Sequence, residues 1–519
     1  MGYLQHFSDS LFLTLHQIIV IYLCMSSDTP CYDSLCAKSR EISLLGNTAS
    51  VLGWDQETYM PSGGITYRAK QLSWLSGKIH ELGTCEGFLQ DLEGAEQETT
   101  SITQSANIRE IRHSYERSTQ LPQPLVEKNS EIISLAKASW AQARKQSDFS
   151  IFAPHLTKLL DIAREKAELW GYPDEPYDAL LEGYERGAKT AEVAHIFNQV
   201  SGDLADLAQA ACDQSVSQPK NVLAGHYPIA DQQTLNQEIA EDFGFDFNRG
   251  RIDTTTHPFC TSVGPGNVRL TTRYLVDNFT SSLFGVLHET GHGLYEQGLP
   301  TEQHGLPAGR AVSLGIHESQ SQLWENHVGR SRSFWEKWLP RTQEIFPHLA
   351  KIDLDSFLTA INRAEKSYIR VEADEATYDL HILLRFGIER QMLNREIEVK
   401  DIPAVWNERF ESYFGMTPPD DSHGCLQDIH WSMGGLGYFA TYTLGNFNSA
   451  QLYQKAMQDI EISNACDKAN YSPLLKWLQT NIHSKGSTLL PQELMKDVTG
   501  EGTNPQFHLA HLKQRFLSI

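Results

Sequence analysis

The sequence predicts a mainly α-helical protein with one small antiparallel β-sheet. Apolar residues recur at helical spacing across residues 33–214 and again across residues 280–519, with short polar or proline-containing breaks. Between these regions, residues 251–263 and 268–274 are rich in Thr, Val and Ile and flank a Gly-Pro-Gly turn, which is typical of two paired strands. A hydrophobic content of 40% and a charged content of 21% are those of a globular protein with a sizeable core.

The N-terminal helical region divides into several predicted elements. Residues 54–61 predict a turn, because Pro61, Gly63 and Gly64 stop a helix. Residues 170–177 contain two prolines and a glycine and predict a loop. The predicted helices cover residues 67–82, 103–120, 124–148, 152–170 and 190–212.

An apolar run occupies residues 11–24 near the start of the chain. The first Lys or Arg is Lys38, so the basic segment of a signal peptide is missing, and the run is too short to span a bilayer. We therefore expect residues 1–24 to be a non-essential extension, and we expect no membrane partner.

The net charge argues against one class of binding partner, and the cysteine content indicates the cellular compartment. The chain has 65 acidic and 43 basic residues and a net charge of -22, which opposes binding to a phosphate backbone, so no nucleic acid partner is expected. The eight cysteines are scattered without a C-x-x-C pair, which indicates neither a disulfide framework nor a thiolate zinc site. A reducing compartment, and hence a cytoplasmic location, is expected.

The stretch His288-Glu-Thr-Gly-His292 has the spacing H-E-x-x-H. On a helix, the two imidazoles lie one turn apart on the same face and can bind one metal ion. Glu289 lies beside them, where a carboxylate can take a proton from a metal-bound water. Two imidazoles and a carboxylate suit zinc. A chance match is the competing interpretation, and the predicted helix around the motif favours the metal site.

A third protein ligand is needed to complete such a site. Position 298, where metzincins have a His, is Gly, which excludes that class. The remaining candidates are glutamates after the motif, and spacing by itself leaves Glu296, Glu302, Glu318 and Glu325 open. Among them, Glu318 is on a predicted helix that follows a loop, where an antiparallel return can bring it to the metal.

Seven further motifs accompany the H-E-x-x-H stretch: Trp54-Asp-Gln-Glu-Thr with Met60-Pro61, Tyr177-Asp-Ala-Leu-Leu181, His257-Pro-Phe259, Arg269-Leu-Thr-Thr-Arg-Tyr274, His317-Glu-Ser-Gln-Ser321, Ile369-Arg-Val-Glu-Ala-Asp374 and Gly424-Cys-Leu-Gln-Asp-Ile-His-Trp431. Together they resemble the motifs of the carboxypeptidase Taq family, the thermostable carboxypeptidase 1 type. The resemblance extends from about residue 30 to the C-terminus. At Asn267 the chain departs from the family pattern, which has Asp there, so a negative charge is lost.

The resemblance implies a metallocarboxypeptidase that removes single residues from peptides with a free C-terminus. It implies one divalent metal ion per subunit, with zinc expected and cobalt as the alternative, bound by His288, His292 and Glu318. Glu289 would act as the general base.

The resemblance also implies a homodimer. We expect residues 25–519 to form one catalytic domain, with a helical part at about 30–247 and a metal-site part at about 248–519. The expected architecture is a large helical two-lobed body around a deep groove, with the sheet next to the H-E-x-x-H helix.

Arginines are the candidates for binding the terminal carboxylate of the peptide. A guanidinium offers two parallel donors that fit a carboxylate, and the family match favours Arg370. Arg269 and Arg273 are the alternatives. For any of the three, a surface salt bridge is the competing interpretation.

Other polar residues are candidates for supporting roles. His257 and His430 are candidate donors to the substrate, and Tyr438 is a candidate donor to the oxyanion. Packing is the competing interpretation for each. Asp374 and Asp428 could orient histidines, although helix capping or ion pairing explains them equally well.

Two other functions remain open at this stage. An oligopeptidase or endopeptidase on a related helical scaffold could use the same metal motif. A binding protein with a structural metal is the third possibility, and the presence of Glu289 argues against it, because a structural site needs no general base.

Overall fold

The computed structural model describes residues 29–98, 101–460 and 470–517. The expected extension at residues 1–24 lies outside these ranges. The described residues divide into two compact units: the first unit comprises those up to residue 119 together with residues 300–310, and the second unit comprises the described residues of 120–299 and from 311 onwards. Across the described ranges, no helix is both long and apolar enough to cross a membrane.

The first unit is helical, and its core includes the buried side chains of Leu35, Phe88 and Leu92. These residues belong to two helices that present one apolar face each, as amphipathic helices do. In the described part of the chain, the helices of this unit are α1 (Pro30–Thr58), α2 (Ile65–Thr84), α3 (Glu86–Glu98) and α4 (Ile102–Thr119).

The predicted turn at residues 54–61 is wrong in its first half, because α1 continues to Thr58. Trp54 is buried on this helix, and the carbonyl of Asp55 accepts a hydrogen bond from the backbone N–H of Tyr59 at 3.0 Å. The proline at position 61 cannot continue the helix because it has no N–H to donate. The residues up to Thr58 precede it and remain helical.

The second unit contains the sheet and the remaining helices. It is built around two clusters of buried apolar side chains, one of which includes Leu283, Leu287 and Leu294 from the H-E-x-x-H helix. Its helices in the described ranges are α5 (Gln123–Gln146), α6 (Phe149–Trp170), α7 (Pro176–Leu181), α8 (Thr190–Val216), α9 (Ile229–Phe243), α10 (Phe279–Gly298), α11 (Leu314–Gln322), α12 (Arg332–Ile345), α13 (Leu354–Ile361), α14 (Tyr378–Leu393), α15 (Ile402–Phe414), α16 (Ala440–Asp459), α17 (Ser472–Asn481), α18 (Pro491–Thr499) and α19 (Gln506–Leu517).

The predicted helices of the N-terminal region are confirmed, with ends shifted by a few residues. Helix α6 begins at Phe149 rather than at residue 152, because the Asp148 side chain accepts a hydrogen bond from the Ser150 backbone N–H at 2.9 Å and so caps the helix. Helix α3 has no counterpart among the predictions. Its buried Phe88 and Leu92 are four residues apart, which is helical spacing.

The small sheet is mixed rather than purely antiparallel. Strand β3 (Val268–Thr272) is central, with β2 (Cys260–Ser262) antiparallel on one side and β1 (Gly250–Thr254) parallel on the other. The predicted pairing across the Gly-Pro-Gly turn is confirmed for β2 and β3. The single strand predicted at residues 251–263 divides into β1 and β2, because Pro258 lies between them and cannot donate to a strand ladder.

Helices α10 and α11 approach each other closely. A Cβ atom added to Gly291 would lie 2.5 Å from the carbonyl oxygen of Gln320 and 2.6 Å from the Cα atom of Ser321. A larger residue at position 291 would therefore push the helices apart. The approach places Glu318, in the middle of α11, opposite the two histidines of the H-E-x-x-H motif on α10.

Two of the family motifs build the support of this region rather than the metal site. The buried carboxylate of Glu389 accepts hydrogen bonds from the Tyr177 hydroxyl at 3.0 Å, from Trp431 Nε1 at 2.8 Å and from the Gly437 backbone N–H at 3.1 Å. A buried carboxylate needs such donors to offset its lost hydration. These contacts join α7, α14 and the segment before α16.

Glu185 is a second buried carboxylate, and it supports the start of α11. Its Oε2 accepts a hydrogen bond from the Gly315 backbone N–H at 3.0 Å, and the residue is 1% exposed. Burial raises the pKa of Glu185 from 4.5 to about 7, while hydrogen bonds from Ser313 and Gly315 act in the opposite direction. Between these two pH values the unfolded chain loses a proton that the folded protein keeps, so this group lowers stability as pH rises.

We expect Glu185→Gln to remove this pH dependence. Relative to the wild type, the variant should gain up to about 3 kcal/mol in unfolding free energy between about pH 4.5 and about pH 8, since one pKa unit corresponds to about 1.4 kcal/mol. Denaturant unfolding of both proteins at the two pH values measures the gain. Glu344→Gln, at an exposed carboxylate on α12, is the control. Equal gains in both variants, or no gain in Glu185→Gln, would contradict the raised pKa.

Candidate metal centre and active site

Two imidazoles and one carboxylate converge between α10 and α11. His288 and His292 lie one turn apart on α10, and Glu318 lies on α11. Their possible ligand atoms all lie within 4.8 Å of one another. Glu318 Oε2 is 3.8 Å from His288 Nε2 and 3.6 Å from His292 Nε2. These are the three residues that the sequence analysis assigns to the metal.

The geometry and the chemistry of this set fit a divalent metal ion. Tetrahedral zinc with bonds of about 2.0–2.1 Å would hold its ligand atoms roughly 3.3 Å apart, which is close to the two separations above. The Nδ1 atoms of both histidines contact other side chains, so the Nε2 atoms are the ones that approach Glu318. Imidazole nitrogen and carboxylate oxygen are both common zinc ligands.

A carboxylate orients the first histidine. His288 Nδ1 lies 3.0 Å from Glu325 Oε2, and Arg330 Nη2 donates to Glu325 Oε1 at 3.3 Å. Glu325 lies on a π-helical turn, Leu323–Val328, that directly follows α11. We assign the proton of His288 to Nδ1 on the basis of this contact, which leaves the Nε2 lone pair for a metal.

A histidine and a carboxylate orient the second ligand. His317 Nδ1 lies 2.5 Å from His292 Nδ1, and His317 Nε2 lies 3.0 Å from Glu296 Oε1. Glu296, which was open as a third ligand, thus contacts His317, and Glu325 contacts His288. The fourth candidate, Glu302, is an exposed residue of the first unit. Glu325 therefore lies directly behind His288, whereas Glu296 acts on His292 through the ring of His317.

Neighbouring helices restrict the position of Glu318. Its Oε1 accepts a hydrogen bond from Gln322 Nε2 at 2.8 Å, one turn later on α11. On the other side, a Cβ atom added to Gly445 of α16 would lie 2.5 Å from Glu318 Cγ. The Glu318 side chain is therefore held by the hydrogen bond on one side and by the surface of α16 on the other, where Gly445 has no side chain.

The carboxylate of Glu289 lies beside this set and is buried, with the residue 6% exposed. Among the described residues, its Oε2 has no hydrogen-bond partner. Burial raises the pKa of Glu289 to about 7, and the charge of His288 opposes this increase. A buried carboxylate oxygen without a protein partner is available to a water or a substrate.

A cavity of about 350 Å³, which we call the metal cavity, opens onto these groups. Its wall includes His288 and Glu318 from the metal set, as well as Glu289. The wall also includes residues distant in sequence, and the side chains used below are Pro258, Arg330, Arg370, Asp374, Tyr378 and Tyr442.

Arg370 lies in the wall of the metal cavity and is buried, at 6% exposure. Its guanidinium donates to Asp428 Oδ1 from Nε at 3.1 Å and from Nη2 at 2.8 Å, and to the Tyr378 hydroxyl from Nη1 at 2.9 Å. Arg370 is thus not part of a surface salt bridge, and its guanidinium already has protein partners. Its ion pair with Asp428 holds it in a fixed orientation.

A second arginine, Arg385, shares the same carboxylate. Arg385 Nε donates to Asp428 Oδ2 at 2.7 Å, and the residue is fully buried. Although burial acts to raise it, the pKa of Asp428 is held far below its usual range by the two guanidiniums. The cluster of two arginines and one aspartate therefore keeps a net positive charge beside the metal cavity.

Sequence reasoning missed Arg385, as well as Tyr378 and Tyr442. A signal for the arginine was present, because it interrupts the apolar stretch Ile382-Leu-Leu-Arg-Phe386 on α14. A charged residue in such a stretch is buried together with its neighbours and requires a partner. The partner itself could not be identified from the sequence, since Asp428 is 43 residues away.

His430 and Tyr438 are neighbours in the second unit, with ring centroids 5.3 Å apart. His430 Nε2 lies 3.5 Å from the hydroxyl of Tyr442, which lines the metal cavity. Burial lowers the pKa of His430 to about 4, and the charge of Asp428 opposes this decrease. The imidazole is therefore neutral near pH 7.

The remaining candidates lie near the sheet and do not line the metal cavity. His257 is exposed in the loop before β2, although its neighbour Pro258 does belong to the cavity wall. Arg273 is exposed just beyond the end of β3. On β3, Arg269 donates from Nε to Asn267 Oδ1 at 3.1 Å. The asparagine that replaces the family aspartate thus keeps a hydrogen bond to Arg269 without the negative charge.

The two aspartates that could have oriented histidines have other contacts. Asp374 accepts hydrogen bonds from the backbone N–H groups of Glu365 at 2.7 Å and Ala376 at 2.9 Å, so it stabilises a turn. Asp428 mainly joins the two arginines, and its Oδ1 lies 3.8 Å from His430 Nδ1. The capping and ion-pairing interpretation therefore applies to both residues.

Comparison with known proteins identifies the family. The family model described as carboxypeptidase Taq (M32) metallopeptidase matches residues 34–516. This chain belongs to that family. It is 38% identical to thermostable carboxypeptidase 1 of Thermus thermophilus over 502 residues, covering 94% of this chain and 98% of the relative. It is 37% identical to thermostable carboxypeptidase 1 of Pyrococcus furiosus over 487 residues, covering 93% and 98%.

Solved structures agree with this assignment. The M32 carboxypeptidase from Deinococcus radiodurans R1 matches with a TM-score of 0.91 and 33% identity, covering 94% of this chain and 98% of that chain. Trypanosoma cruzi metallocarboxypeptidase 1 matches with a TM-score of 0.90 and 33% identity, covering 94% and 100%. The protein is a metal-dependent carboxypeptidase, which acts on peptides and requires a divalent metal ion. The predicted family, enzyme class and mainly α fold class are confirmed.

Gly445→Ala should displace Glu318. The added methyl group would overlap Glu318 Cγ, so we expect a loss of about 1–3 kcal/mol in unfolding free energy and at least about tenfold weaker metal binding. Denaturant unfolding and metal competition with a chelator measure these effects. Gly202→Ala, on a helix of the same unit where an added Cβ meets nothing within 4 Å, is the control and should stabilise by up to about 1 kcal/mol. Wild-type metal affinity in Gly445→Ala would contradict the close contact.

Proposed function

We propose that the protein hydrolyses peptides from the C-terminus, one residue at a time, with Glu289 as the general base. His288, His292 and Glu318 would hold one zinc ion. The observation that carries this proposal is that His288 and Glu318 of the metal-binding set line one cavity together with Glu289 and the buried, positively charged Arg370. The metal-binding set together with Glu289 can cleave an amide, and Arg370 can select a free carboxylate.

When bound, zinc would polarise the scissile carbonyl and lower the pKa of a coordinated water. The contribution of the protein is to hold the ligands in place beforehand. Glu325 fixes the ring of His288, and His317 fixes the ring of His292, each through the Nδ1 atom. Ligands held in this way need little rearrangement on metal binding, which favours affinity.

Glu289 is the group best placed to transfer the proton. It lies on α10 next to His288 and in the wall of the metal cavity, with Oε2 unoccupied by the described protein groups. It would accept a proton from the attacking water and deliver it to the nitrogen of the leaving amine as the C–N bond breaks. One carboxylate can do both, because the water and the amine nitrogen adjoin the same carbon.

The arginine cluster supports selection of the terminal carboxylate. Arg370 and Arg385 share one negative charge on Asp428, which leaves a net positive charge in a buried region. A peptide carboxylate entering the metal cavity would neutralise this charge, whereas an amide would not. The Tyr378 hydroxyl, which accepts from Arg370, is positioned to adjust to the incoming anion.

We further propose supporting roles for the other candidates. Neutral His430 and the hydroxyl of Tyr438 are donors that could stabilise the oxyanion, through Tyr442 or directly. His257, Arg269 and Arg273, which lie at the sheet outside the metal cavity, would contact peptide residues farther from the cleaved bond. An extended peptide can pair with the edge of such a sheet.

The metal identity, the assembly state and the location are proposals of the same kind. Zinc is favoured over cobalt by the His–His–Glu donor set. A homodimer is proposed from the family resemblance. A cytoplasmic location is supported by the cysteines, since those in the described ranges are free thiols: Cys31, Cys36, Cys85, Cys212, Cys260 and Cys425.

Short peptides with a free or an amidated C-terminus test the carboxypeptidase reaction. We expect mass spectrometry to show a ladder of single C-terminal losses with the free peptide, no loss with its amide, and no reaction after chelation of the metal. Zinc and cobalt would be added back separately to identify the metal that restores activity. Internal fragments from the amidated peptide would instead indicate an endopeptidase.

The variant Glu289→Gln tests the general base. It should lower kcat by about 10²–10⁴-fold, because it removes the proton acceptor, while the metal content per chain stays at the wild-type level. Peptide turnover and metal analysis of the same preparation measure the two effects. Glu302→Gln, at an exposed glutamate of the first unit, is the control and should behave as wild type. Unchanged turnover in Glu289→Gln would exclude the proposed role.

A further inference from the structure

A row of hydrogen-bonded side chains runs behind Glu318 along α11 and the π-helical turn that follows it. Glu318 Oε1 accepts a hydrogen bond from Gln322 Nε2 at 2.8 Å, and Gln322 Oε1 accepts one from Asn326 Nδ2 at 2.5 Å. Asn326 Oδ1 in turn accepts a hydrogen bond from Arg330 Nε at 3.0 Å. The four residues are spaced four apart in the chain, so their side chains are neighbours along the helix.

The same arginine is also connected to the first ligand histidine. Arg330 Nη2 donates to Glu325 Oε1 at 3.3 Å, and Glu325 Oε2 lies 3.0 Å from His288 Nδ1. The contacts therefore form a continuous path from Glu318 on α11 to His288 on α10. We call the four intermediate residues the support chain: Gln322, Asn326, Arg330 and Glu325.

The π-helical turn allows Arg330 to make both connections. In this turn the Gly329 backbone N–H donates to the Trp324 carbonyl oxygen, five residues earlier, at 2.9 Å. An α-helix brings together side chains that are three or four residues apart, whereas the i→i+5 hydrogen bonds of a π-helix widen the turn by one residue. Arg330 therefore contacts both Asn326 and Glu325, which precede it by four and five residues.

Two further contacts fix the guanidinium of Arg330. Its Nη1 donates to the Ile361 carbonyl oxygen at 2.7 Å, at the end of α13. Its Cζ lies 3.7 Å from the centroid of the Phe284 ring, and Phe284 is one helical turn before His288 on α10. A planar guanidinium suits this position, because it can stack on an aromatic ring and donate in several directions at once.

Arg330 also sets the direction of every hydrogen bond in the row. A guanidinium can only donate, so the oxygen of the Asn326 amide faces it and the amide nitrogen faces Gln322. By the same reasoning, Gln322 directs its oxygen to Asn326 and its nitrogen to Glu318. Glu318 Oε1 thus receives a donor, and Oε2 is the oxygen that approaches both histidines.

We propose that Arg330 is a positioning residue of the candidate metal centre. Through Asn326 and Gln322 it orients Glu318 so that Oε2 faces the metal, and through Glu325 it fixes the ring of His288. The inference rests on the proposed function, in which these two residues and His292 are the metal ligands. As a cation, Arg330 would not bind the metal itself.

A purely electrostatic role of Arg330 would have the opposite effect on metal affinity. A positive charge near a cation site weakens cation binding, so its removal would strengthen binding. If Arg330 positions the ligands, its removal weakens metal binding although a repulsive charge is lost. The sign of the change therefore separates the two roles.

The experiment measures the affinity of the full chain for Zn²⁺ and Co²⁺ by competition with a chromophoric chelator. We expect Arg330→Gln to bind either metal at least about tenfold more weakly than the wild type, which is the usual cost of losing a group that holds a ligand. Arg332→Gln, at an arginine whose side chain is 57% exposed, makes the same charge change and should bind as wild type. Equal or tighter binding by Arg330→Gln, or equal weakening in Arg332→Gln, would overturn the proposal.

The visible absorption of the Co²⁺-loaded proteins shows whether the ligands have moved. The spectrum of bound Co²⁺ depends on its coordination geometry, so fully loaded Arg330→Gln should differ from the wild type. A lower overall stability would by itself leave the spectrum of the loaded protein unaltered. An unaltered spectrum would show that the ligands keep their positions and would overturn the proposal.

Two substitutions that keep the charge test the row itself. Gln322→Met and Asn326→Leu keep the approximate size of each side chain and remove its hydrogen-bonding groups. Both should weaken metal binding, and Gln322→Met, which loses the contact with Glu318, should do so by at least about tenfold. Because both act on Glu318 through one path, the double variant should bind within about twofold of Gln322→Met. Additive losses would show independent effects and would overturn the proposal.

Metal binding by the wild type separates this inference from the proposed function. A wild type that binds no metal would overturn both the metal-binding set and the role of Arg330. Stoichiometric metal binding by the wild type, with unchanged affinity in Arg330→Gln, would retain the metal-binding set and overturn only the role of Arg330.

Discussion

The candidate metal centre depends on how closely α11 can pack between α10 and α16. At Gly291 the backbone of α10 meets the backbone of α11, and at Gly445 α16 meets the side chain of Glu318. Because neither glycine has a Cβ, Glu318 can lie within 4 Å of both His288 and His292. Two of the residues that follow it on α11, Ser319 and Ser321, are small and buried. A methyl group on either side would change the distance on which the donor set depends.

The burial of charged groups is the second constraint on this region. Most of its ionisable side chains satisfy this constraint by pairing with another ionisable side chain. Glu325 pairs with His288, Glu296 pairs with His317, and Asp428 pairs with two arginines. Glu289 is different, because its Oε2 has no partner among the described residues. An unsatisfied buried carboxylate costs free energy. The unpartnered oxygen supports our proposal that Glu289 acts on the water and the substrate.

Some residues of the motifs shared with the family belong to the proposed active site, and others support the fold around it. Tyr177 and Trp431 both donate to the buried Glu389, and Asp374 stabilises a turn, so these residues maintain the shape of the second unit. Gln427 contributes differently. Its Oε1 accepts the backbone N–H of Arg370 at 2.8 Å and so positions the arginine that we propose as the carboxylate site. A shared motif therefore does not imply contact with the substrate.

The sequence by itself determined the features that depend on the spacing of residues close together in the chain. The helices, the pair of strands around the Gly-Pro-Gly turn, and the common face of His288 and His292 all follow from periodicity within a few residues. The choice of Glu318 needed the family resemblance, since four glutamates satisfied the spacing. The tertiary structure decided that β1 pairs in parallel with β3 and that Arg385 joins Arg370 at Asp428. These contacts join residues far apart in the chain, and no local pattern specifies which distant partner will neutralise a buried charge.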